Sequence, residues 1–188
     1  MTTPYERWYH GKEYHDCERL GITIQRVPTV EAVYARCAAI HLLTRDENGG
    51  NHNEYFDVFN QDGQRLNNTL ILGQNNNIKL SARIDKPYNE PGTNFSVNTP
   101  DTINAWVGDV PGLGVIPSDR VNGFSTRWGG PIVGECDYGH ISIWVLWIIQ
   151  TDNIPPIPPV PSNDYERGLD DGVNMARDAI LEALSELP

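Results

Sequence analysis

The run His140–Gln150, HISIWVLWIIQ, restricts the fold of this chain more than any other segment. It is built of β-branched and aromatic residues and reads as a strand. In a strand, Ile141, Ile143, Val145, Trp147 and Ile149 point one way, while Trp144, Leu146 and Ile148 point the other. Both faces are apolar. One face belongs to a core, and the second must be covered as well, either by the N-terminal arm or by a neighbouring subunit. Left bare, it would be an aggregation hazard. The apolar stretch Ile141–Ile149 is too short to cross a bilayer as a helix.

The rest of the body follows the same chemistry. Residues 1–30 form an irregular arm in which Tyr5, Trp8, Tyr9 and Tyr14 alternate with His10, Lys12, Glu13 and His15. Its rings read as a strap over the side of the core, with an aromatic binding strip as the alternative. A short extended piece, Ile22–Arg26, ends at Pro28. Ala32–Leu43 alternates as a long strand although its alanines favour helix, and residues 45–53 are a turn-rich loop. Tyr55–Phe59, the turn Asn60–Gly63 and a return strand Gln64–Leu72 read as a hairpin, because glycine takes the positive φ of a tight turn. Further strands are expected over 77–84, 102–107 and 119–124, with long Gly/Pro/Asn loops at 85–94 and 108–119. Short strands separated by turn chemistry indicate a mainly β, antiparallel β-sandwich over residues 31–150.

After Gln150 the character changes. Pro155, Pro156, Pro158, Pro159 and Pro161 make residues 151–162 a stiff polyproline II linker of about 20 Å. Asn163 with Glu166 then forms a capping-box start for a helix over 163–188. Leu169, Val173, Ala176, Ile180, Ala183 and Leu187 recur at alternating steps of four and three, and Leu184 widens the stripe. Gly168 and Gly172 each cost such a helix about 1 kcal/mol, and Asp178 and Glu182 repel one turn apart. Its stability must therefore come from packing. The stripe is expected to bind a partner, either a second copy or another protein. Docking back onto its own sandwich is the competing reading.

Charge and motif content narrow the function. A net charge of −11 and the absence of a basic cluster argue against nucleic acid and against anionic membranes. The N-terminus lacks the apolar run of a secretory signal. Cys17, Cys37 and Cys136 cannot all pair with one another and show no CxxC spacing, so reduced thiols are expected, with a Cys17–Cys136 bridge as the alternative. Two of the loop acids Asp85, Glu90, Asp101, Asp109, Asp119, Glu135 and Asp137 could form a glycosidase pair, although spacing alone does not bring any two together. Glu135, Cys136, Asp137 and His140 lack an evident orienting group and oxyanion site for Cys–His catalysis. No nucleotide-binding, serine-hydrolase or zinc-protease motif is present. The chain reads as non-enzymatic, with no catalytic residue assigned. No cofactor is expected beyond a structural Ca²⁺ that Asp46, Asn48, Asn51, Asn53 and Glu54 could hold, though not at EF-hand spacing.

Ligand binding is better supplied by aromatics beside polar loops. Tyr88, Trp106, Arg127 and Trp128 lie in KPYNEPGTN, NAWVGD and STRWGG, where a ring face and nearby polar groups could hold a pyranose. A core position is the plainer reading of Trp106. At FDVFNQDGQRL, DKPYNEPGTN, DRVNGFSTRW and YGHISIWVLWI the chain resembles Ig-like β-sandwich accessory domains of phage and cell-wall-active proteins. The resemblance covers about residues 20–150 and implies a non-catalytic domain. Those domains accompany enzyme modules, and here none precedes it, so a cell-wall targeting role is not expected. Two functions follow as expectations. The first is a virion structural or adhesive protein, a capsid decoration or fibre-associated protein, located on the virion or an extracellular surface and anchored through its C-terminal helix. The second is a carbohydrate-binding module, with a polysaccharide or peptidoglycan hydrolase as the weaker alternative.

Overall fold

Nine strands pack as two sheets in the computed structural model, which describes residues 3–9, 20–28, 31–96, 102–125 and 141–151. They are β1 (Thr23–Gln25), β2 (Val33–Leu42), β3 (Asn53–Phe59), β4 (Leu70–Asn75), β5 (Ile78–Arg83), β6 (Thr93–Ser96), β7 (Ile103–Asp109), β8 (Arg120–Phe124) and β9 (Ile143–Thr151). One sheet has the order β1-β8-β7-β4-β5 and the other β2-β9-β3-β6. The mainly β, two-sheet expectation is met. The proline-rich linker, the helical stripe Leu169–Leu187, and residues Cys17, Asp101, Arg127, Trp128, Glu135, Cys136, Asp137 and His140 lie outside the described residues.

β9 explains its own composition. It runs antiparallel to β2 (Leu42 opposite Ile143, Val33 opposite Thr151) and parallel to β3 (Glu54 opposite Ile143, Phe59 opposite Ile148). It therefore sits between two strands that follow each other in sequence, and that parallel pair departs from an all-antiparallel body. On its inner side Ile143, Val145, Trp147 and Ile149 join Phe56, Val58, Ile71, Ile103, Val121 and Phe124 in the main core. On its outer side Trp144 and Leu146 are fully buried with Ala38, Ala39, Leu43 and Phe59.

The cover on that outer side is the N-terminal strap. Tyr5–Tyr9 forms one π-helical turn, closed by reciprocal bonds: the Glu6 amide donates to Thr3 Oγ1 at 3.1 Å and the Thr3 amide to Glu6 Oε2 at 2.9 Å. Trp8 meets Trp144 edge-on with centroids 5.5 Å apart, and Tyr5 lies 4.6 Å from Phe59. Aromatic pairs in such offset geometries add to the free energy of burial.

Three local readings need correction. The Asp-Gly turn forms, with Gly63 at φ +76°, but the chain does not return along β3: of the expected Gln64–Leu72 strand only Leu70–Leu72 is strand, as the start of β4. A single bridge joins Phe59 to Arg65. Arg65 then turns its side chain inward, Asn68 adopts φ +62°, and the chain crosses to the other sheet as β4. The hairpin instead joins β4 to β5, with Asn75 opposite Ile78 and Asn76 at φ +49° in the two-residue turn. β6 lies at the end of the segment read as loop 85–94 and pairs with β3. β1 also belongs to the five-stranded sheet, so the body includes residues assigned to the arm.

Removing the strap's largest ring should be costly. Trp8→Ala is expected to lower stability by about 3 kcal/mol, the loss typical of a buried tryptophan. Urea unfolding measures it, and a change below about 0.5 kcal/mol would show that the outer face does not depend on the strap.

Candidate functional site

Two buried acids hold the loops in place. Asp119, at the entry to β8, is fully buried and accepts from the Val27 amide (2.8 Å), the Cys37 amide (3.0 Å) and the Arg26 guanidinium (2.7 Å), with Arg36 at 3.5 Å. Its own carbonyl accepts from Trp147 Nε1 at 3.1 Å. A bulge in β2 between Cys37 and Ala39 lies at this contact. One carboxylate thus ties β1, β2 and β8 together.

The groove beside this anchor is the candidate site. It encloses about 510 Å³ on the outer face of the five-stranded sheet, within the range of small-ligand pockets. Trp106 points outward from β7 because Ile103, Ala105 and Val107 take the inward positions. Opposite it on β4 lies Leu72, which together with Leu70 lines the groove. Gly108 makes this packing feasible, since a Cβ there would sit 2.6 Å from the Leu72 side chain. Arg120 lies 4.3 Å from the centre of the Trp106 ring. Ser118 Oγ accepts from the Val107 amide at 3.0 Å and fixes the wall containing Ile116 and Pro117. Asp109 and Glu31 supply acceptors, Arg26 and Arg120 supply donors, and Val115 stands 85% exposed at the margin. An aromatic ring, an apolar floor and both kinds of polar group suit a ligand with apolar faces and hydroxyl edges.

Of the other expected ligand residues, Arg127 and Trp128 lie outside the described residues, and Tyr88 sits elsewhere. Tyr88 does not line this groove; its ring lies 4.9 Å from the Arg65 guanidinium carbon and 6.4 Å from Phe59. There it covers the guanidinium that pairs with the second buried acid. Asp57 and Arg65 pair at 2.7 Å with both side chains fully buried. Asp57 also accepts from Trp144 Nε1 (2.8 Å) and the Gly92 amide (3.1 Å). Arg65 donates to the carbonyls of Pro87 (3.0 Å) and Glu90, so the 85–92 loop wraps the guanidinium. Gly92 is required here, because a Cβ would lie 2.8 Å from Asp57 Oδ1. Burial pushes the Asp57 carboxyl up to about 6, against the pull of Arg65, Trp144 and Gly92.

The oxygen set considered for Ca²⁺ is divided. Asp46 is exposed, Asn53 Oδ1 accepts from Asn94 and Ser96, and Glu54 is fully buried on the inward register of Phe56 and Val58. Among the described residues neither Glu54 oxygen has a hydrogen-bond partner, and burial pushes its pKa well above the ordinary 4.5. Sequence reasoning left Glu54 between the loop 45–53 and the strand Tyr55–Phe59 and counted it among the Ca²⁺ oxygens; its alternation with Phe56 and Val58 was the available signal for a buried strand position.

A pH dependence follows. The folded chain holds the Glu54 proton to higher pH than the unfolded chain does. Between the ordinary value and the raised one the folded state therefore binds more protons, and stability falls as pH rises. Glu54→Gln is expected to remove that decline, leaving the variant about 1–3 kcal/mol more stable than the parent at pH 8 relative to pH 4. Denaturation curves at the two pH values test it; parallel behaviour of both proteins would refute it.

In comparisons of the chain with protein-family models, with curated proteins and with solved structures, none matches.

Proposed function

We propose that the chain is a non-enzymatic adhesive or structural protein of a virion, a capsid decoration or fibre-associated protein. An Ig-like sandwich displays the Trp106 groove, and the C-terminal stripe Leu169–Leu187 attaches the chain to its partner. The observation that carries the recognition half is the groove itself: one outward tryptophan over an apolar floor, ringed by donors and acceptors. Asp57 and Asp119, the acids held in defined geometry, are both engaged in joining segments of the body. The attachment half is supported by the stripe's spacing, which needs a packing partner.

The same groove favours a second reading, a carbohydrate-binding module acting alone. Two measurements separate the readings. On a glycan array, Trp106→Ala is expected to lose specific binding, by at least tenfold in affinity; binding that survives the substitution would remove Trp106 from recognition. Truncation after residue 151 is expected to leave the sandwich folded while abolishing self-association or docking, read as solution mass. An unchanged mass together with unchanged partner binding would remove the anchoring role and leave the lone binding module.

A further inference from the structure

A second hollow, of about 500 Å³, opens on the other side of the molecule from β7. It lies between the strap, the turn that follows β2 and the 85–92 loop. Tyr55 projects into it from β3, half-buried, with its hydroxyl held by Asn53 Nδ2 at 2.9 Å. Trp8 contributes an edge from the strap. Five charged side chains face this space: Arg7 and Lys86, against Asp46, Glu47 and Glu90.

Charges of both signs around one small space would ordinarily close it by pairing. Here they do not, since among the described residues no ion pair joins either cation to any of the three acids. Arg7 lies over the Trp8 ring at 4.7 Å, Lys86 bonds Asn94, and Glu47 is held by the Thr44 cap and by His41. Each wall is also fixed independently of the others. The strap is closed by Thr3 and Glu6, the Arg45–Asn48 turn by its capping box, and the loop by its carbonyls on Arg65. Walls set before a ligand arrives reduce the ordering cost of binding.

We propose that this hollow is a second ligand site, and that it takes a sugar residue of a neutral glycan. The inference rests on the glycan-recognition reading of the chain and deepens it. A hydroxyl both donates and accepts, so neighbouring hydroxyls of one ring satisfy Asp46 and Glu90 together with Arg7 and Lys86. Three carboxylates oppose an anionic ligand, and the two cations offset most of the attraction a cationic one would find, so the mixed lining is matched best by a neutral ligand. The Lys86 ammonium lies over the Tyr55 ring at 5.9 Å from its centre, and the apolar face of a pyranose suits the part of the ring it leaves open while its hydroxyls reach the ammonium.

The test uses the full chain and neutral tetrasaccharides of glucose and of N-acetylglucosamine, with titration calorimetry as the readout. Two sites per chain are expected. Tyr55→Ala should remove one of them, Trp106→Ala the other, and Asp46→Asn should weaken the Tyr55 site about threefold to tenfold. Asp46 is an exposed side chain, so that variant probes binding without burdening the fold. Tyr55→Phe, which keeps the ring, should retain both sites. If Trp106→Ala abolishes all binding while Tyr55→Ala changes nothing, the second site is overturned and the glycan reading stands. If the parent chain binds no tetrasaccharide, both fall. Binding of glycylglycine with the same dependence on Tyr55, and of no sugar, would overturn the ligand class in favour of a zwitterion.

Discussion

The architecture depends on burying β9 from both sides. Its inner residues belong to the space between the sheets, and its outer tryptophan lies beneath the strap. Neither half works alone. Without the second sheet, Trp147 and Val145 have no counterpart; without the strap, Trp144 and Leu146 face water. The described part of residues 3–151 is therefore layered in three on one side: five-stranded sheet, four-stranded sheet, and a single helical turn of aromatic residues.

Polar chemistry inside the body follows from that layering. Trp144 and Trp147 each bring an indole N–H into a dry environment, and each finds an acceptor on an aspartate: the Asp57 carboxylate for one and the Asp119 carbonyl for the other. Those aspartates in turn collect amides and guanidinium groups from distant segments. Asp119 gathers β1 and the β2 bulge, and Asp57 gathers Arg65 and the 85–92 loop. The two surface hollows lie beside these knots. Their walls hold their shape because the loops that form them are tied to charges buried beneath. Removing one partner of such a pair would strand the other and typically costs several kcal/mol.

Much of this was legible from residue pattern, and the gaps have physical causes. β9 was legible because a strand buried on both faces leaves an unbroken apolar run, and β2 because it reads as a long apolar strand, although its bulge breaks the period of two. β6 was hidden because Thr93–Ser96 is short and three of its four residues are polar; it earns its place through Phe95, which packs on Phe56 at 4.8 Å. The β4–β5 hairpin was overlooked because an asparagine, Asn76, rather than glycine supplies its positive φ. Trp106 was recognisable as a candidate, but its groove was not, since Gly108, Leu72 and Ser118 come from separate strands and loops. Tyr88 was legible as an exposed loop aromatic, but the buried guanidinium beneath its ring was not, because Arg65 lies more than twenty residues earlier in the chain.

The position of β9 between β2 and β3 has a consequence for biosynthesis. These neighbours leave the ribosome about a hundred residues before the strand that separates them, because Leu42 faces Ile143 and Phe59 faces Ile148. Until then β2 and β3 have an open slot where their hydrogen-bonding partner belongs, and β2 is rich in apolar side chains. Pairings of such long sequence separation form slowly and leave intermediates sticky. The nascent chain must wait with an unfilled seam in its sheet, which makes the arrival of β9 the committing event in its maturation.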